Sequence, residues 1–146
     1  MSADSQGYTL DISEHLFRLT TESLRLRSNE TKSYQTLESL VDARAADVSR
    51  IGDRDMTTLK EHLVSIPTKG DIRIELSISQ TSAESLDQVT EMLSKQLDAK
   101  LTVGDALSVL LFDYVVEQKA ARILEKLDLD KLTPSVTDAL ATGSQH

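Results

Sequence analysis

Eight residues, Ile72-Arg73-Ile74-Glu75-Leu76-Ser77-Ile78-Ser79, alternate apolar and polar without a break. An extended strand points successive side chains to opposite faces, so this segment acquires one apolar and one polar face only as a strand. Three isoleucines add β-branched preference. Immediately before it, Ile66-Pro67-Thr68-Lys69-Gly70-Asp71 places proline and glycine within four residues, which stops a helix and starts a turn. This is the most clearly bounded strand in the chain.

The residues after this strand read as helix. Thr81 with Glu84 forms a capping box, so a helix is expected from near residue 82, with Leu86, Val89, Leu93 and Leu97 on one face and Met92 beside them. Asp98-Ala99-Lys100-Leu101 interrupts that pattern. Thr102 then caps a second helix, with Asp105 in its first turn. Residues 106–116 of that helix are apolar around nearly the whole circumference. Such a helix needs more cover than one neighbour supplies, and an obligate homodimer provides it economically.

The first 70 residues are less distinct. Tyr8-Thr9-Leu10-Asp11-Ile12 alternates briefly, and 13–27, 31–51 and 55–66 read as helices. Ser33 and Asp55 are cap candidates, and Gly52-Asp53 a break. The tail after Leu132 is expected to fray. The organisation expected is therefore an N-terminal helical region over 1–67, a strand–helix–helix region over 71–127 and a tail over 128–146.

Composition narrows the chemistry. The chain has 146 residues, 24 acidic and 16 basic side chains, a net charge of −8 and no cysteine. Disulfides, thiolate zinc sites and cysteine nucleophiles are excluded. No apolar run reaches the roughly 18–20 residues of a membrane span, and residues 1–7 lack a secretory pattern, so a cytoplasmic protein is expected. An acid excess argues against coating nucleic acid by bulk charge.

One strand, a capped helix, a break and a second capped apolar helix together resemble the ribbon-helix-helix (Arc-like) DNA-binding family over about residues 71–119. The resemblance implies that two chains pair their strands antiparallel and lay that ribbon in a major groove. Under it, Ile72, Ile74, Leu76 and Ile78 face the core while Arg73, Glu75 and Ser77 face DNA. Arg73 would bond guanine, Glu75 cytosine N4, and the start of the second helix at Thr102, Val103 and Gly104 would grip a phosphate. Glu75, Glu84 and Asp105 depart from what a phosphate backbone favours. Arg18, Arg25, Arg27 and Lys32 are a supplementary cationic group, interleaved with Glu14, Glu22 and Glu30 as on a solvated helix face.

A repeat is a further reading. Residues 8–12, 13–27 and 33–51 reproduce the order strand, helix, helix, which would make the chain an internal pseudo-dimer. Enzymatic signatures are lacking. Glu14-His15 and Glu61-His62 are adjacent pairs that diverge by about 100° on a helix and read as surface histidines. No phosphate loop, nucleophile elbow, metal set or cofactor fingerprint is present.

The expectation is thus a mostly α, non-enzymatic protein with one or two short strands, a ribbon-helix-helix-like dimer core and added N-terminal helices. It would need no cofactor or metal and have no membrane partner. The function expected is sequence-specific recognition of double-stranded DNA by a homodimer, with the N-terminal helices free to hold a protein partner. The alternative is a helical dimerisation or protein-interaction module that leaves DNA alone.

Overall fold

The computed structural model describes residues 5–46, 51 and 55–132, the last four as backbone. Strand β1 (Ser5–Ile12) leads into helices α1 (Glu14–Thr31), α2 (Leu37–Ala45) and α3 (Met56–Ser65). Strand β2 (Ile72–Ser79) comes next, then α4 (Gln80–Gln96) and α5 (Val103–Leu132). The chain is mostly helical with one two-stranded antiparallel sheet.

β2 pairs with β1 of its own chain, in a register that sets Ile12 opposite Ile72, Tyr8 opposite Leu76 and Ser5 opposite Ser79. Tyr8, Leu10 and Ile12 thereby share the inner face with Ile72, Ile74, Leu76 and Ile78, and Ile12, Leu76 and Ile78 are fully buried. This corrects the expected pairing: the place assigned to a second chain's strand is taken by β1. It also joins the expected regions 1–67 and 71–127 through one sheet. The described residues as far as Val115 form a single compact unit.

The helices begin where side chains cap them. Ser13 accepts from the Leu16 N–H at 3.0 Å. The chain passes from β2 straight into α4, so Ser79, not Thr81, accepts from the Ser82 N–H at 3.1 Å. Helix α2 is shorter than the expected 31–51: Thr36, not Ser33, caps it in a reciprocal box with Ser39. Asp55 caps α3 and Thr102 begins α5, both as expected, with Asp105 accepting from the Thr102 N–H at 2.9 Å. The expected break at 52–53 and the tail from 133 lie outside the described residues.

The strand–helix–helix order occurs twice, and the two copies match in detail. Each first helix ends in a left-handed residue, Lys32 (φ 59°) or Asp98 (φ 50°). In the first copy the Ser28 hydroxyl accepts from the Gln35 N–H at 3.0 Å, and in the second Ser94 accepts from Leu101 at 3.0 Å. The Ser28 carbonyl accepts from Ser33 as the Ser94 carbonyl does from Ala99. At the same spacing Thr36 corresponds to Thr102. The buried sets correspond too: Leu16, Thr20 and Ser23 with Ser82, Leu86 and Val89, then Leu40, Val41 and Ala45 with Ala106, Leu107 and Leu111. Helix α3 is inserted between the copies.

Leu26, Leu40 and Val41 of the first copy and Leu59 of α3 share one core cluster with the apolar start of α5, so within this unit Leu107, Leu110, Leu111 and Tyr114 are covered by their own chain. Several polar groups in this core are paired. Arg44 reaches Asp113 at 3.0 Å and lies over the Tyr114 ring at 5.2 Å. The Tyr114 hydroxyl donates to Glu30 at 2.9 Å; burial first, then Glu30, pushes its pKa up to about 12. His62, expected at the surface, is buried: its ring stacks on Phe112 at 4.2 Å and Nε2 lies 2.8 Å from the Ser108 hydroxyl. His15 is exposed. From Val116 onward α5 belongs to a second unit, in which Ile123, Leu124 and Leu127 are exposed. Among the described residues no helix is long and apolar enough to cross a membrane.

These contacts can be tested through stability. Replacing Ser28 or Ser94 by alanine removes the acceptor of one turn N–H and should cost about 1 kcal/mol in urea unfolding. The two losses should add in the double variant, because the turns are separate. Acid should act through His62. Burial holds its imidazole below the ordinary value, outweighing the opposing Ser108 hydrogen bond. The unfolded chain therefore takes up the proton first, so the stabilisation is complete above a pH of about 6.5 and declines as pH falls below it, by at most about 1.4 kcal/mol per unit. Thermal unfolding between pH 7.5 and 5.5 should show this slope in the parent and lose it in His62→Gln.

Candidate interaction face

Strand alternation decides what the ribbon shows to solvent. Gly7, Thr9 and Asp11 of β1 point outward beside Ser77, Glu75 and Arg73 of β2, their register partners. Arg73, Glu75 and Ser77 are thus on the outer face, as their alternation predicts. Arg73 is not free there: its Nε and Nη2 donate to the two Asp11 carboxylate oxygens at 2.9 and 3.3 Å. That hydrogen bond lowers the Asp11 pKa and raises that of Arg73. The face carries two acids and one base, and the base is spent on one of the acids. Lys95 pairs with Glu91 on α4.

Thr102, Val103 and Gly104 occupy a different place. They start α5 and line, with Thr9, Asp11, Lys69 and Gly70 among others, a cavity of about 370 Å³ beside β1. The helix N-terminus already has a carboxylate on it. Asp105 Oδ2 accepts from the Thr102 N–H and hydroxyl, and Oδ1 accepts from Thr68 at 2.6 Å. Thr9 and Asp11, which point to the outward face, line that cavity too, so it lies beside the β1 side of the ribbon. Arg73, Glu75 and Ser77 are on the outward face, and 102–104 border the cavity.

The two sheet edges differ. In an antiparallel ladder a residue sends its N–H and C=O to the same side. The Ser77 and Ser79 N–H groups leave the ladder toward α2, where Glu38 accepts at 3.5 Å and Asp42 at 3.2 Å. On β1 the same odd-numbered positions face outward: the Asp11 carbonyl accepts from Gly70, and the Ser13 N–H donates to the Thr68 carbonyl at 2.9 Å. Gly70 has to be glycine for this approach, since a Cβ would stand 2.4 Å from the Ser13 Cα. Among the described residues the N–H groups of Gly7, Thr9 and Asp11 meet no protein acceptor.

Asp11, Glu38 and Asp42 are site residues that the sequence does not single out. Asp11 is visible as the polar member of the 8–12 alternation, but its pairing with Arg73 needs the register. Glu38 and Asp42 lie four apart on α2, which gives them one helix face but no target. The arginine group on α1 is neutralised locally, by Arg18–Glu14 at 2.5 Å, Arg25–Glu22 at 2.8 Å and Arg27–Glu30 at 3.2 Å. Among the described residues no group of three His, Asp or Glu side chains is placed to hold a metal ion. No known protein family, curated protein or solved structure matches this chain.

Proposed function

We propose that the chain is a non-enzymatic protein-interaction module whose ribbon face and flanks recognise a basic partner segment. One observation carries this reading: the single cation of the outward face, Arg73, is hydrogen-bonded to Asp11, so Glu75 in the middle of the ribbon has Arg73 only as a longer-range charge. Glu38, Asp42 and Asp71 extend the acidic character beyond the ribbon face. Affinity for a phosphate backbone grows with the number of phosphates neutralised, and this face has no spare cation for one. A lysine- or arginine-bearing segment meets complementary charge instead.

DNA recognition is the second reading, favoured by the shape of the ribbon. Two strands with an open outward face, followed by two copies of a helix–turn–helix unit, reproduce within one chain the arrangement that the ribbon-helix-helix resemblance implies for two. Arg73 would have to exchange Asp11 for guanine.

Binding experiments at low salt separate the readings. The parent chain should leave a pool of double-stranded DNA unshifted and bind an alternating lysine–valine octapeptide. Glu75→Gln should weaken the peptide several-fold, and Arg73→Ala should not. A DNA shift that weakens with salt at a slope of about −0.9 per phosphate and disappears in Arg73→Ala would overturn the proposal in favour of DNA.

A further inference from the structure

The repeat makes the two ribbon edges directly comparable. At the spacing that sets Ser28 on Ser94 and Thr36 on Thr102, Ser77 corresponds to Asp11, Glu38 to Gly104 and Asp42 to Ser108. On the β2 side, Glu38 and Asp42 accept the outward N–H groups of Ser77 and Ser79. On the β1 side both carboxylates are missing. Ser108 is turned to His62, and Gly104 has no side chain. Gly104 lines the cavity of about 370 Å³ together with Thr9, Asp11 and Thr68, and the Thr68 methyl would stand 2.8 Å from a Cβ at 104.

We infer that this edge of β1, at Gly7 and Thr9, together with the cavity at Gly104, docks an extended peptide segment bearing basic side chains as a third strand. The inference rests on the reading under Proposed function and specifies how the partner is held. A strand edge with free N–H and C=O groups is a template for one more strand, and main-chain hydrogen bonds supply the affinity. The third-strand position is already entered at one end, where Lys69 bridges Ile12 in antiparallel sense and Gly70 bonds Asp11. Beyond it the edge runs open along Thr9 and Gly7, and nothing lies within 4 Å of where a Gly7 side chain would be.

The occupant's pattern is set by the faces it would extend. Tyr8 and Leu10 lie on the inner face, Leu10 lining the cavity, and match apolar side chains at alternate positions. Glu75 on the outer face, beside the Asp11–Arg73 pair, matches lysine or arginine at the others. A second copy of the chain is a poorer occupant, because it brings the same Asp11 and Glu75 and a net charge of −8 against its equal.

The test uses the full chain and two octapeptides of equal charge: alternating lysine–valine, and the same sequence N-methylated at every residue. Calorimetry at low salt should find the unmodified peptide bound about tenfold or more tightly than the methylated one. Amide exchange of Gly7 and Thr9 should slow when it binds. Gly7→Pro removes an N–H that the β1–β2 ladder does not use, and should cost most of that difference while leaving the unfolding temperature unchanged. Thr68→Ser with Gly104→Glu restores the carboxylate of the other half. The serine removes the methyl that a Cβ at 104 would meet at 2.8 Å. This variant should also lose the peptide.

Equal affinity for the two peptides would overturn strand docking and leave recognition by charge standing. Failure of both to bind would overturn both readings. Slowed exchange at the same amides without peptide, growing with protein concentration, would assign the edge to a second copy.

Discussion

The ladder between β1 and β2 is the contact on which the rest of this molecule depends. It joins residues 5–12 to 72–79, so everything between them, α1, α2 and α3 included, is a closed loop. Closing a loop of that length has an entropic cost that grows only slowly with length. The return is one apolar sheet face, Tyr8 to Ile12 beside Ile72 to Ile78, against which both copies of the helical unit pack. Without the ladder, the apolar sides of β2 and α5 would each need a second chain. With it, the chain meets the need that a homodimer meets by association.

Much of this is legible in the sequence, in proportion to how local its cause is. β2 can be read because its alternation is complete and its left boundary has both Pro67 and Gly70. The start of α5 at Thr102 and of α3 at Asp55 can be read because a cap acts within four residues. The same locality explains the near misses. Ser79 outcompetes Thr81 as the α4 cap because no loop separates β2 from the helix. Thr36 outcompetes Ser33 because the left-handed Lys32 and the Ser28 hydroxyl hold the chain in a turn through Gln35. His62 lies three residues after Leu59 on one face of α3, a signal present in the sequence but outweighed by the usual exposure of histidine.

The candidate site is less legible, because it is made by pairings distant in sequence. Alternation alone places Arg73, Glu75 and Ser77 on the outward face. The neutralisation of Arg73 depends on a register that sets Asp11 opposite it, 62 positions away. The repeat itself is readable as element order, yet its strongest signs are hydrogen bonds: Ser28 and Ser94 each hold the N–H seven residues on. A hydroxyl doing this at an ordinary-looking serine leaves little trace in composition or hydropathy.

A ribbon made by two identical chains must have two identical edges. If one is open, so is the other, and both must be guarded by the same residues. Joining the halves in one chain removes that constraint. Here α2 carries Glu38 and Asp42 against the outer N–H groups of β2, while the corresponding positions of α5 are Gly104 and Ser108. Guarding an edge with acidic side chains suppresses pairing with other strands, since the carboxylates occupy the donors that a new strand would use. Gly104 brings no carboxylate to the β1 donors and borders the cavity beside them. The same asymmetry runs through the chemistry below the sheet. Ser108, freed from the strand edge, is turned inward to His62, so the loss of an edge guard and the gain of a buried histidine site occur at one residue. A single-chain pseudo-dimer of this kind can be closed on one side and receptive on the other, which a symmetric dimer of either half cannot be.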